Sequence, residues 1–190
     1  MILALGTLIA LAAQPAALPI WWDNWKQLHA FSSPFVQEGE SAAFGRLTKK
    51  GSIIAAKGGR LRVEYEKGAL LLCDGQTLTQ YDPSTRTAQS HHMDSISEEW
   101  PLLRLLTDPS SLSQVYSVAS SDGATVVLSP RKPGLPEVVI QGKGAFLHKA
   151  EWKDGTGAKQ VLTFTSPKSP ADPGRSPFVF KPPAGTKWIR

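Results

Sequence analysis

With one cysteine in 190 residues, the chain has no internal disulfide, and its fold has to be held by a packed core. That residue, Cys73, follows Leu70, Leu71 and Leu72, a setting that predicts a buried structural thiol rather than a nucleophile. Histidine is scarce as well: only His29, His91, His92 and His148 are present, and the adjacent pair is read as part of a surface loop. On a strand those two would face opposite ways and could not chelate one ion. No Gly-x-Ser-x-Gly elbow occurs, the glycine-rich stretches match no phosphate cradle, and Asp74 and Asp82 are explained as turn formers. No nucleophile accompanies a base, so no catalytic residue, metal site or cofactor is assigned. Charge of one sign is not concentrated either. The net charge is only +5 and the cations are dispersed rather than clustered with aromatics, which argues against a nucleic-acid partner.

Long apolar runs are missing except at the beginning. Met1 to Ala17 carries no charged side chain, but it is shorter than the roughly 20 residues that span a bilayer, and Pro15 interrupts it. Small residues at Ala10, Ala12, Ala13, Ala16 and Ala17 offer cleavage sites. Residues 1–17 are therefore read as a secretory signal peptide and 18–190 as a single domain. No cysteine near the end of that run provides a lipid-attachment site, so the exported chain is expected to be untethered.

What is abundant is alternation. A 41% hydrophobic share with 19% charged residues suits a globular domain. In the segment 60–66, Leu61, Val63 and Tyr65 fall on one face while Arg60, Arg62, Glu64 and Glu66 fall on the other. Turn chemistry at Gly58-Gly59, Asp74-Gly75, Asp82-Pro83, Asp122-Gly123 and Asp154-Gly155 divides the chain at hairpin spacings. Strands are predicted over 32–38, 41–50, 52–57, 60–66, 68–74, 76–82, 85–90, 114–120, 124–129, 135–142, 145–153, 158–166 and 177–181. The result is an antiparallel meander, with 166–176 as a loop before the last strand.

Two stretches have helical period instead. From Pro19 to Phe31, Trp21, Trp22, Trp25, Leu28 and His29 form a stripe beside Asp23, Lys26 and Gln27. From Ser95 onward, capping residues and first-turn carboxylates precede Trp100-Pro101-Leu102-Leu103-Arg104-Leu105-Leu106, and Asp108-Pro109 marks the stop. Apolar helices over an apolar sheet face are compatible with a filled core and equally with a lipid-sized cavity under a removable lid; composition and period leave both open.

The series Phe35-Val36-Gln37-Glu38, then Lys57-Gly58-Gly59-Arg60-Leu61-Arg62-Val63-Glu64-Tyr65-Glu66, then Leu72-Cys73-Asp74-Gly75-Gln76-Thr77-Leu78-Thr79-Gln80-Tyr81-Asp82-Pro83 resembles the LolA family of periplasmic outer-membrane lipoprotein carriers. Pro101-Leu102-Leu103 with Leu105-Leu106 is similar to the family's lid helix, and Phe178-Val179-Phe180-Lys181-Pro182-Pro183 to its closing strand. The resemblance implies a mainly β fold: an incomplete, half-open antiparallel β-barrel whose concave apolar face is covered by an N-terminal helix and a central lid helix. It implies a non-enzymatic, monomeric periplasmic chaperone with no cofactor. Its partners would be acylated lipoproteins, an inner-membrane ABC-type releasing complex and an outer-membrane lipoprotein receptor.

On that resemblance the acyl cavity is assigned to Leu61, Val63, Tyr65, Leu78, Trp100, Leu103 and Leu106, with Trp21, Trp25 and Leu28 as helical cover. Lys57 stands where the family has an arginine that bridges rim and lid. Lysine keeps the charge but lacks the planar fork, so a latch at Lys57 is expected to be weaker. The alternative reading is a lipid- or lipoprotein-sensing regulatory domain of the envelope on the same scaffold. A third is an envelope protein whose core is filled.

Overall fold

In the computed structural model, which describes residues 18–41, 45–93 and 101–189, the alternating segments pair into one 12-stranded sheet. In chain order the strands are β1 (Ala30–Ser41), β2 (Gly45–Ala56), β3 (Arg60–Tyr65), β4 (Leu70–Asp74), β5 (Thr77–Asp82), β6 (Thr87–His92), β7 (Tyr116–Ser121), β8 (Thr125–Pro130), β9 (Val138–Lys143), β10 (Phe146–Lys153), β11 (Lys159–Phe164) and β12 (Lys187–Ile189). Their order across the sheet is β12-β6-β5-β4-β3-β2-β1-β11-β10-β9-β8-β7. The pairing of β1 with β11 joins the two meanders, while β7 and β12 remain as edges, so the barrel is incomplete. All neighbours are antiparallel except β12, which lies parallel to β6. Apart from the parallel β12, the half-open antiparallel architecture that the family resemblance implied is the one observed.

Register places one apolar set on the concave face. Val63 pairs with Ile53 and Leu71, Leu61 with Ala55 and Cys73, Phe35 with Phe164, and Ile140 with Ala150 and Val126. These residues belong to one core cluster, in which Cys73 is fully buried and burial pushes its thiol pKa up.

Helix α1 (Ile20–Gln27) lies on β9 and β10, and helix α2 (Pro101–Thr107) lies on β2 and β3, followed by a 3-10 turn over Pro109–Gln114. The α1 stripe buries Trp21, Trp22 and Trp25; the helix ends before its predicted limit because Leu28 takes an extended ψ and Ala30 opens β1. Trp21 packs directly on Gly142 of β9, where a Cβ would lie 2.0 Å from the indole. Gly142→Ala should therefore displace α1 and cost about 1–3 kcal/mol, as overpacked sites do. Denaturant unfolding of the variant measures it, and a change below about 0.5 kcal/mol would mean that Trp21 moves aside freely.

Several elements differ from the sequence reading. The predicted break at Gly51 is absent and β2 runs through it. Gly51 marks a close approach: a Cβ there would meet the Glu64 carbonyl at 2.1 Å and the Phe35 ring at 2.9 Å. Strand β6 begins two residues late, because the Asp82 carboxylate accepts the Ser84 N–H at 2.8 Å and Arg86 adopts φ 54°, which prolongs the turn. His91 and His92 consequently lie on β6 rather than in a loop. The segment 177–181 forms no strand: Ser176–Phe178 is a 3-10 turn, and Pro177, Pro182 and Pro183 supply no N–H donor for a ladder. The strand that ends the chain is β12, three residues long and too short to leave a periodic signal.

Residues 166–189 wrap the convex face of β1–β6. Phe178 is buried against Ala30, Ala56 and Ile54, with the Arg60 guanidinium 5.4 Å above its ring. Arg60 also donates to the Gly174 carbonyl at 2.7 Å and pairs with Asp172 at 3.3 Å, and Arg62 donates to the Pro177 carbonyl at 3.0 Å. Farther along, the Phe180 ring meets Tyr81 at a tilt and Trp188 edge-on. The charged face of β3, opposite Leu61 and Val63, anchors the tail through its two arginines.

Candidate functional site

Where β1, β2, β3 and β11 pass beneath α2, the concave face is not filled. A cavity of about 460 Å³ opens there, within the roughly 300–1,000 Å³ range of small-ligand pockets. Its floor is Phe35, Ile53, Leu61, Val63 and Leu162, Leu71 adjoins on β4, Leu103 and Leu106 of α2 form the cover, and Trp152 of β10 closes a side.

The predicted residues separate into groups. Leu61, Val63, Tyr65, Leu103 and Leu106 are brought together around the cavity. Leu78 packs in the same core cluster but is fully buried and lies outside the lining. Trp21 and Trp25 are buried beneath α1 and also stand off the cavity, as does the half-buried Leu28. Trp100 lies outside the described residues, as does the whole of the segment 1–17.

The two helices are tied to each other. Trp25 donates its indole N–H to the Leu105 carbonyl at 3.0 Å, linking α1 to α2, and stands edge-on to Phe31, which meets Phe164 in the same way. Inside α2, the Thr107 hydroxyl donates back to the Leu103 carbonyl at 2.8 Å. Lys57 lies on the turn after β2, beside a gap of about 10 Å³ shared with Trp25, Leu28, Leu106 and Thr107. Its backbone N–H donates to the His29 carbonyl at 3.0 Å. Its side chain is exposed and, among the described residues, has no ion-pair partner; it stands near the C-terminal end of α2, where a cation is favoured.

Several lining residues escaped the sequence reading. Leu71 sits in the run Leu70-Leu71-Leu72, where no period separates the faces. Trp152, Gln160 and Leu162 come from strands more than a hundred residues along the chain and reach the cavity only through the β1–β11 pairing. Gln37, Lys49, Asp154 and Gln160 are polar and carry no hydrophobic signal.

These four polar residues, with Tyr65, occupy one end of the cavity. The Tyr65 hydroxyl donates to Gln37 Oε1 at 3.1 Å, Gln37 Nε2 to Gln160 Oε1 at 3.4 Å, and Gln160 Nε2 to Asp154 Oδ2 at 2.8 Å. Lys49 Nζ stands 5.8 Å above the Tyr65 ring. The Thr156 hydroxyl and backbone N–H, with further hydrogen bonds from Gln160 and Ala158, hold the Asp154 carboxyl below the usual carboxylate range. Burial pushes the Tyr65 phenol up, so at neutral pH it is a hydroxyl donor facing a fixed carboxylate at the far end of the chain of bonds.

The second cavity, of about 320 Å³, adjoins the first through Tyr65 and Leu71 and reaches Gln80, Gln89 and the tail residue Ile189. Among the described residues no group of three His, Cys, Asp or Glu side chains is placed to hold a metal ion, and no helix is long and apolar enough to cross a membrane.

A structure of an uncharacterized conserved protein from Thermus thermophilus superposes with TM-score 0.55 at 13% identity, covering 90% of this chain and 96% of that one. A LolA superfamily protein from Nitrosomonas europaea gives TM-score 0.47 at 11% identity, with 84% and 96% covered. A putative outer membrane lipoprotein-sorting protein domain from Vibrio parahaemolyticus gives 0.47 at 9%, with 83% and 92% covered. No curated protein matches the sequence. The family model described as outer membrane lipoprotein carrier protein LolA matches residues 26–181, most of the chain, and the protein belongs to the LolA family.

Proposed function

We propose that the chain is a periplasmic carrier that shields the acyl chains of lipoproteins in the cavity between β1–β3, β11 and α2. Residues 1–17 serve as the export signal and 18–190 as the carrier domain. Cargo is received from an inner-membrane ABC-type releasing complex and delivered to an outer-membrane receptor, with no reaction catalysed. The observation that carries this reading is an apolar cavity of about 460 Å³ beneath a helix of seven residues, in a chain of this family.

The energetics favour a removable cover. Each buried methylene is worth about 0.8 kcal/mol, so a chain of roughly sixteen carbons gains on the order of 12 kcal/mol against water. Full enclosure would hold cargo too firmly for transfer. Leu103 and Leu106 are almost fully buried beneath α2, and lifting the helix exposes them until a ligand covers them. That cost offsets part of the gain and keeps release feasible. Lys57, close to the end of α2, acts in this reading as a weak latch.

Mass spectrometry of lipids and proteins that co-purify with the chain from the periplasm tests it. Acylated lipoproteins from several unrelated proteins support a carrier. One stoichiometric protein partner in their place supports a sensing domain, and consistent absence of any acyl species supports a filled envelope domain.

A further inference from the structure

The lining of the large cavity changes character in step along four adjacent strands. On β1 Phe35 gives way to Gln37, on β2 Ile53 to Lys49, on β3 Leu61 and Val63 to Tyr65, and on β11 Leu162 to Gln160. The polar ends coincide because the register aligns them, and they form the bonded row Tyr65–Gln37–Gln160–Asp154. The row has a direction. An ionised Asp154 accepts only, so Gln160 must turn its NH₂ toward it and its carbonyl toward Gln37; Gln37 then turns its NH₂ toward Gln160 and its carbonyl toward the Tyr65 hydroxyl. Each amide nitrogen carries two N–H groups and uses one in the row, which leaves one donor on Gln37 and one on Gln160.

The row is also held in place. Asp154 is fixed in the β10–β11 turn by the Thr156 N–H at 2.9 Å and the Ala158 N–H at 3.1 Å. Gly39, paired with Gln160 across β1 and β11, leaves the room that the amide occupies: a Cβ there would lie 3.1 Å from Gln160 Oε1.

We propose that this row receives the carbonyl oxygens of the ester and amide groups at the head of acyl chains, and so fixes the direction in which chains enter, tails toward Leu103 and Leu106. A row that keeps two spare N–H donors at the end of an apolar cavity suits a ligand that ends its hydrocarbon in an acceptor. The inference rests on the acyl-carrier reading above and adds the part of the ligand that is recognised. The same chemistry occurs at the acylated N-terminus of a lipoprotein and in a diacyl glycerolipid.

The test is displacement of a fluorescent fatty acid from the mature chain by dipalmitoylglycerol, by its dihexadecyl ether analogue, which keeps the tails but lacks the carbonyls, and by a tripalmitoylated cysteinyl peptide. Two hydrogen bonds predict that the ester binds about tenfold tighter than the ether. In Gln37→Leu and in Gln160→Leu the ratio should fall toward one. Gly39→Ala, which crowds Gln160 without removing it, should lower the ratio partway. An ester-to-ether ratio near one in the unaltered chain, or a ratio that survives both Leu variants, overturns the inference while leaving acyl binding intact. Failure of all three competitors and of the fatty acid overturns the carrier reading with it. Tighter binding of the peptide than of dipalmitoylglycerol supports the row with a lipoprotein as the source, and the reverse order supports it with a glycerolipid.

Discussion

Replacing Trp25 with alanine is expected to lower the unfolding free energy by about 3–5 kcal/mol, as large-to-small changes at buried aromatic sites do. The side chain is 2% exposed and stands edge-on to Phe31 at 4.9 Å, and Phe31 meets Phe164 at 5.0 Å. Its indole N–H is bonded to a carbonyl of α2, so its loss removes the hydrogen bond between the helices as well as packing. Trp25→Phe separates the two effects: it keeps most of the ring contact and loses the hydrogen bond, for about 1 kcal/mol from the bond alone. Denaturant unfolding followed by circular dichroism measures both. Alanine costing below about 1 kcal/mol would mean that α1 is not part of the cooperative core.

Leu103→Glu should weaken acyl binding by more than about tenfold. Leu103 is 2% exposed, on the cavity side of α2, and Lys49 is the one cation among the described residues that line the cavity. An unpaired charge in such a place is expelled or neutralised. Either the lid lifts or the carboxyl stays protonated, with its pKa raised by burial. The sign follows: a folded-state pKa above the unfolded value makes the variant less destabilised below pH 4 than at pH 8, with the penalty growing as the pH rises through the raised value. Fluorescent fatty-acid binding at pH 7.5 should weaken by more than about tenfold while the strand signal in circular dichroism is retained. Binding within about twofold of the unaltered chain would remove Leu103 from the site.

The sheet was legible in the sequence where one face of a strand is apolar and the other charged, as in 60–66, and where Asp-Gly and Gly-Gly pairs mark the turns. Legibility failed where a residue's local signal and its tertiary role diverge. Gly51 carries a turn signal but serves as a gap for the Phe35 ring. Arg60 and Arg62 look like solvent-facing charges but anchor the tail through backbone carbonyls. The apolar part of the cavity follows from alternation on β3 and from the leucines of α2. Its polar end does not, because Gln37 and Gln160 are hydrophilic residues 123 positions apart, and only the β1–β11 pairing makes them neighbours.

The most direct measurement is crosslinking of the full chain with a photoreactive palmitate, followed by peptide mapping. Adducts should concentrate on the peptides that contain Ile53, Leu61 to Tyr65 and Leu103 to Leu106, and should be lost when unlabelled palmitate is in excess. Adducts confined to the outer tail around Val179 and Trp188, or none that palmitate displaces, would contradict an acyl site beneath α2.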